Sequence, residues 1–561
     1  MPSQRSAGSP RQATFNLAAI GSGVADWLRR PIVSASLLLT ALTVMLTWPQ
    51  ALHLGSYVAP YPDPRLSIWR LSWLAHALKV GDMSRLFDGN IFYPNPGSFA
   101  YSDATFLEGL IAAPWLWAHV NPVAVYNVLL LAGIVSSGIG MFVLVQYLTG
   151  DADTALVSAA IFTLVPYRVE HFMHLELQWT VWMPLSMWAV HRAFDRGSLR
   201  FGQLAGLFLA LQVLSCVYYG VFLGVIVSAL ALLLAMTRPD RALRGMRTLL
   251  LGCVIPAVVT ALYSQPYIAN AKRLGPRSQS EITQFSAQAI SYITAPPENW
   301  LWGWTAWRFE GNELHLFQGV VVIALAAAAL ILRPGRLAWI YAALAALSIE
   351  MSLGLNGWLY SWLYVHVPAL SGFRAPARFS ILACCALAVL SGFGFQALQR
   401  LVPSARSRRV LFIATLVAIG LEFGSAPLRL ERLSTDVPDG YKFLRTVYPS
   451  VIVELPFEDW ELAPDFEYWS TYHWNPLVNG YSGYHPRSYM ETAEKMRTFP
   501  DQSSIDRLTE LGVRYVVVHE YYYKPKTITT LMTAIAERAD LIPVGRFRGI
   551  VGSMQVFELK R

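Results

Sequence analysis

Along this chain, long apolar runs alternate with short polar breaks. Runs of roughly 20 apolar residues, the length that crosses a bilayer as a helix, recur from residue 31 to residue 424. The pattern predicts spanning helices near 31–50, 123–147, 152–167, 176–194, 200–215, 217–236, 246–265, 316–333, 336–353, 377–399 and 408–424. That is a mainly α, polytopic architecture of about 11 transmembrane helices, within a range of about 10–13. The run TFLEGLIAAPWLWAHV (105–120) is read as interfacial, because a span there would invert every later loop. After about residue 425 the pattern changes to polar sequence rich in Tyr and Pro. Alternation in SVIVELPF, VRYVVVHE and SMQVFELK predicts strands, and RSYMETAEKMRTF and KTITTLMTAIAERA predict helices. Residues 425–561 are therefore expected to form a small α/β domain outside the membrane.

The loops set the orientation. HRAFDRGSLR (191–200) has three arginines, TRPDRALRGMR (237–247) four, RPGR (333–336) two and RLVPSARSRR (400–409) four. All fall on the side of the basic N-terminal stretch 1–30, which is predicted to be cytoplasmic; the first apolar run is read as an uncleaved signal anchor. The loops 51–122, 266–315 and 354–376 and the C-terminal domain fall on the opposite, outer side. Composition agrees: 54% of residues are hydrophobic and only 14% charged, against about 25% charged in soluble domains. The net charge of +8 is spread over short loops, which argues against nucleic acid as a partner. Cys216, Cys253, Cys384 and Cys385 lie in apolar runs without metal spacing and read as core residues.

Candidate chemistry concentrates in the outer loops. In YPDPRLSIWRLSWLAHAL, Asp63 stands between two prolines at a predicted helix start. It is either a helix cap or a carboxylate held at the membrane–water boundary, and one group can be both. Trp69, Trp73 and His76 share a face of the following helix, with Arg70 close by, and suggest an aromatic interface with the membrane surface. Asp103 ends the same loop and has the same two readings. The next outer loop, PYRVEHFMHLELQW, packs Arg168, Glu170, His171, His174 and Glu176 between two membrane helices. Ionisable groups at that depth mark a substrate cavity, and the alternative is a structural ion-pair cluster. His171 and His174, three apart, join Asp63 as candidate ligands should a divalent cation (Mg or Mn) be bound. In the third outer loop Glu298, Glu310 and Glu313 add acids. GFRAPARF carries Arg374 and Arg378, four apart, on the outer side, where guanidinium groups suit a ligand phosphate, the alternative being lipid headgroup binding or snorkelling. In the C-terminal domain Trp474, Tyr481 and Tyr484 are candidate stacking surfaces for an acceptor; a lid or a partner-docking module is the equal alternative.

YPDPRLSIWRLSWLAHAL, QYLTGDADTALVSAAIFTLVPYRVEH, GNELHLFQG and FRAPARF together resemble the GT-C class of integral-membrane glycosyltransferases, in particular its bacterial dolichyl-phosphate-mannose–mannosyltransferase-like and RgtA/B/C/D-like group. The likeness spans about residues 30–425. It implies a polyprenyl-phosphate-linked sugar donor, a glycan, lipid or protein acceptor, inverting transfer on the outer face of a bacterial inner membrane, and a first-loop acid as base, here Asp63. It also implies a second acid after the third helix, here Glu170 or Glu176. Asp63 has no acidic neighbour, so the paired-acid form of the motif is absent. A non-catalytic protein that binds, transports or assembles lipid-linked glycans is the alternative; clustering of the charged groups in outer loops rather than at the bilayer midplane favours the enzyme.

Overall fold

The structure is a computed structural model that describes residues 31–309, 313–457 and 461–560. The N-terminal stretch 1–30 and Glu310 lie outside the described residues. Among the described residues, four helices are long and apolar enough to cross a membrane: Pro122–Thr149, Ala152–Glu170, Val217–Thr237 and Pro376–Leu401. A fifth follows if Pro239–Gly252 and Val254–Leu274, bent by 40°, form one span. Pro31–Leu46, Leu199–Ser215 and Val320–Leu332 are apolar but shorter. The chain thus has the marks of a multi-pass membrane protein, while the figure of about 11 spans leans on these shorter segments. Phe106–Trp117 rises only about 18 Å, well short of a bilayer core of about 30 Å.

The arginine-rich loops gather at one end of the bundle. Asp195 accepts from Arg238 at 2.6 Å and Arg241 at 2.8 Å. Arg336 donates to the Thr237 carbonyl at 2.6 Å. Arg333 donates to Gln396, whose amide reaches the Thr149 carbonyl. Three of the loops that sequence patterning placed on one side, 191–200, 237–247 and 333–336, therefore touch one another in space.

At the other end the C-terminal segment folds onto the first long loop. Strand β1 (Tyr57–Val58) pairs antiparallel with β2 (Glu431–Arg432). A four-stranded sheet then forms from β3 (Val451–Leu455), β4 (Val513–His519), β5 (Leu541–Arg548) and β6 (Ser553–Leu559), in the order β3-β4-β6-β5. Strands β3, β4 and β6 coincide with the expected ones. Strand β5 was not foreseen: Pro543 and Gly545 interrupt its alternation at a bulge, and Pro is tolerated there because β5 is an edge strand. Helix Ala463–His473 packs against helix Asp63–Val80.

The seam between the two is polar and dense. Arg65, in the first turn of helix Asp63–Val80, donates to Asp465 and Glu431, both at 2.5 Å. Asn90 accepts from the Trp69 indole at 3.0 Å and donates to Ser470 and the Asn475 carbonyl, each at 3.1 Å. Backbone bonds Phe92→Asn479, Tyr93→Leu477 and Leu477→Asn90 extend the seam. The expected aromatic membrane interface is therefore corrected. Trp69 is 1% exposed, enclosed by protein, and Trp73 and His76 pack on Trp474, with ring centroids 5.9 and 4.2 Å apart. The apolar face of this helix is buried by the rest of the first long loop, including helix Phe106–Trp117, and by the C-terminal segment rather than by lipid.

Candidate functional site

Helix Asp63–Val80 begins at Asp63 itself, with Pro64 in its first turn and no side-chain cap. A proline there loses nothing, since the first amides of a helix have no internal partner. The Asp63 carboxylate is thus not consumed as a cap, and Oδ1 lies 3.6 Å from His174 Nε2.

The loop carrying His171 and His174 is clamped by two neighbours. Arg168, 0% exposed, donates to the Gln178 carbonyl at 3.0 Å and to Thr180 Oγ1 at 2.8 Å. Gln178 returns its amide to the carbonyls of Arg168 at 3.2 Å and His171 at 2.8 Å. Arg168, expected to bind substrate, is a positioning residue: its donors are taken up by the loop it folds.

Opposite stands Glu313, in the segment GNELHLFQG. Backbone bonds Leu316→Ser291 and Phe317→Thr294 pin this segment, and Glu422 accepts the first amides of helix Val320–Leu332. Glu313 has φ +56°, a left-handed conformation that a side-chain-bearing residue holds only when its surroundings enforce it. Its Oε2 lies 3.7 Å from His171 Nδ1, and both oxygens accept from Arg378, at 2.8 and 2.7 Å. Burial alone would push the Glu313 carboxyl up. The Arg378 guanidinium instead holds it well below the usual carboxylate range. Burial holds the His171 imidazole well below its ordinary value, against the pull of Glu313 and with help from the Arg378 charge.

The result is a continuous run of Asp63, His174, His171, Glu313 and Arg378, drawn from the loops in which the sequence placed its candidates. Glu313 is the member that sequence reasoning undervalued; the left-handed backbone that singles it out leaves no trace in its residue type. Glu170 does not join the run. It pairs with His315 at 2.8 Å, a partner the sequence did not suggest. Glu176 faces Arg70 at 3.7 Å, and Arg70 also donates to Ser102 at 2.5 Å. Asp103 accepts from the Val217 amide at 2.6 Å and from Cys216 Sγ at 3.3 Å. It caps the start of a distant spanning helix, and burial followed by the Glu176 charge pushes its carboxyl up to about 6. Asp103 is therefore structural in this geometry rather than a second free carboxylate.

Arg374 and Arg378 are not helical neighbours. Arg374 sits in a bend, while Arg378 belongs to the 3-10 turn Pro376–Phe379. Arg378 is committed to Glu313. Arg374 is looser, 3.9 Å from Glu281, which also receives Arg277 at 3.2 Å. The Arg374 amide donates to the Tyr218 hydroxyl at 3.0 Å, and Arg378 lies 5.5 Å over the Tyr218 ring. Tyr218 thus joins the two arginines. Tyr484 stacks under Arg277, 3.3 Å from ring centroid to guanidinium.

The donor set also bears on a cation. One nitrogen each from His171 and His174 and one oxygen from Glu313 lie within 4.8 Å of one another. Among the described residues, both His171 nitrogens and His174 Nδ1 are buried without a hydrogen-bond partner. Buried polar atoms are rarely left so, and neutral imidazole is the ligating form. The residues fit a divalent metal, and the two nitrogens shift the choice from Mg toward Mn or Zn.

No family model matches the chain, and no curated protein does. Solved structures do. Arabinofuranosyltransferase AftD from Mycobacteria aligns at TM-score 0.57 and 14% identity, over 95% of this chain and 40% of that one. A mutant of AftD aligns at TM-score 0.62 and 15% identity, over 95% and 42%. ArnT from Cupriavidus metallidurans bound to undecaprenyl phosphate aligns at TM-score 0.47 and 12% identity, over 96% and 98%. The chain spans about 40% of the length of AftD. The fold is that of the GT-C membrane glycosyltransferases, as the sequence resemblance implied.

The Glu313–Arg378 pair should dominate the stability of the site. Arg378→Met alone leaves a buried carboxylate unpaired and is expected to destabilise the protein by about 3–5 kcal/mol. Adding Glu313→Gln should recover most of that loss in thermal unfolding of the purified protein. Additive losses in the double variant would contradict the pairing.

Proposed function

We propose that this chain is a GT-C glycosyltransferase that transfers a sugar, with inversion, from a polyprenyl-phosphate-linked donor to a glycan, lipid or protein acceptor. The observation that carries the reading is the position of Asp63: a carboxylate free of capping, at one end of a run of imidazole and carboxylate that ends in guanidinium groups. The acceptor hydroxyl attacks the anomeric carbon and gives its proton to Asp63. The bond from the anomeric carbon to the phosphate oxygen breaks, and its electron pair leaves on the polyprenyl phosphate. Arg374 meets that charge, because it is the arginine not already saturated by a buried carboxylate, and Arg277 stands beside it. Arg378 acts one step back, by keeping Glu313 ionised next to His171. The AftD likeness makes an arabinofuranosyl donor the natural first substrate to test.

The reading places the site on the outer face of a bacterial inner membrane, with the N-terminus cytoplasmic. The clustering of arginine-bearing loops at one end of the bundle supports that orientation. A divalent cation would be held by His171, His174 and Glu313 beside Asp63, and would supply positive charge to a developing oxyanion.

Asp63→Asn is nearly isosteric. It should reduce transfer, followed as labelled product from a polyprenyl-phosphate sugar in reconstituted vesicles, by at least about 100-fold without lowering the unfolding temperature. Normal turnover in that variant contradicts the assignment of the base. The cation is tested separately. Titration calorimetry of the chelator-treated protein with Mn or Zn should show one saturable site, lost in His171→Ala. Identical heats in the two proteins, or none in either, would remove the metal from the account.

A further inference from the structure

Helix Asp63–Val80 carries the proposed base at its start and forms the wall of a different cavity at its end. His76 lies between three and four turns beyond Asp63, about 20 Å along the axis. There a cleft of about 330 Å³ opens between this helix, the loop 82–96 and the C-terminal segment. Its aromatic lining is Trp73, His76, Tyr93, Tyr448 and Trp474, and Asp82, Arg85 and Asp88 supply the charged groups. It shares none of the residues from Asp63 to Arg378 described above.

The walls are fixed before any ligand arrives. The His76 and Trp474 rings stack at 4.2 Å and 16°. The Trp73 indole lies 5.9 Å from Trp474 and donates to the Leu86 carbonyl at 3.0 Å. Trp474 terminates helix Ala463–His473 with φ +55° and ψ +16°. Glycine or asparagine normally fills that left-handed position, so a tryptophan there is held against its backbone preference. Phe92, next to Tyr93 in the facing loop, has φ +57°. Trp474, a bulky residue strained within the cleft wall itself, marks a surface kept for a purpose beyond packing. The rim stays open: Tyr448 is 58% exposed and Tyr93 36%.

We propose that this cleft is a binding site for a neutral oligosaccharide, engaging the acceptor glycan at a distance from the reacting hydroxyl. A sugar ring has apolar C–H faces and a polar edge. Flat aromatic walls with short polar groups at the rim match both. Two carboxylates stand against one guanidinium, Asp88 Oδ2 lying 3.9 Å from Arg85, which disfavours an anionic ligand. Shared mounting on one helix fixes the spacing between this cleft and Asp63, so a glycan held here presents a chain end rather than a free monosaccharide. The inference rests on the transferase reading for the word acceptor, but the binding itself does not.

The test therefore measures binding without turnover. The full chain in detergent is titrated with maltohexaose, cellohexaose, mannohexaose and arabinohexaose, with saturation-transfer NMR on the sugar protons as readout. The expected result is saturation of ring-face protons for at least one of them, with affinity about tenfold weaker in Trp474→Ala and in Tyr448→Ala. Tyr448 is exposed, so its variant keeps the fold even where Trp474→Ala loosens it. Asp63→Asn should bind like the unaltered chain, which separates this site from the catalytic proposal. Absence of saturation with all four sugars, or equal affinity in the chain and the Tyr448→Ala variant, overturns the proposal.

Discussion

The ion pair between Glu313 and Arg378 is the interaction around which the site is organised. A carboxylate taken out of water is destabilised by several kcal/mol unless it is met by opposite charge and hydrogen bonds. Two guanidinium donors at 2.7 and 2.8 Å supply both. The ionised Glu313 then stands beside a neutral His171, and the histidine loop meets Asp63 on its other side. Neighbouring charges follow the same rule in pairs, Glu170 with His315 and Arg70 with Glu176. What remains without a committed partner among the described residues is what a reaction needs: the Asp63 carboxylate, the ring nitrogens of His171 and His174, and the loosely held Arg374.

The second constraint is mechanical. Asp63 is placed by a helix whose first turn is fastened to residues some 400 positions later, through Arg65 and Asp465. The C-terminal segment is therefore part of the site's frame. It holds Asn90 in the loop 81–104 that covers Trp69, and supplies Trp474 to the far end of the same helix. Proposed chemistry at one end and proposed glycan capture at the other are joined by a rigid element rather than by a flexible linker.

Much of this was legible in the sequence, and the limits have physical causes. Apolar periodicity located the long helices, and arginine spacing located the loops that meet at one end. Alternation found β3, β4 and β6 but not β5, where Pro543 and Gly545 break the pattern. Of the outer-loop candidates, Asp63, His171, His174, Glu313 and Arg378 came together, because charge at a membrane boundary is rare enough to stand out. Residue type could not say which charges are spent. Arg168 looks identical to a ligand-binding arginine until its donors are found on Gln178 and Thr180. Asp103 looks like a free carboxylate until it is found capping Val217. Trp69 looks like a membrane anchor because burial by lipid and burial by the folded loop around Asn90 and Phe99 select the same side chain.

The central claim is that the leaving phosphate lies at Arg374 while the anomeric carbon faces Asp63. The direct measurement is a cryo-electron microscopy structure of the full chain with a polyprenyl-phosphate sugar, held unreacted by Asp63→Asn. The account predicts phosphate oxygens within hydrogen-bond distance of the Arg374 guanidinium and the sugar's anomeric carbon on the side of residue 63. A donor phosphate seated away from Arg374, or a sugar turned away from residue 63 with the histidine run on its far side, would contradict it.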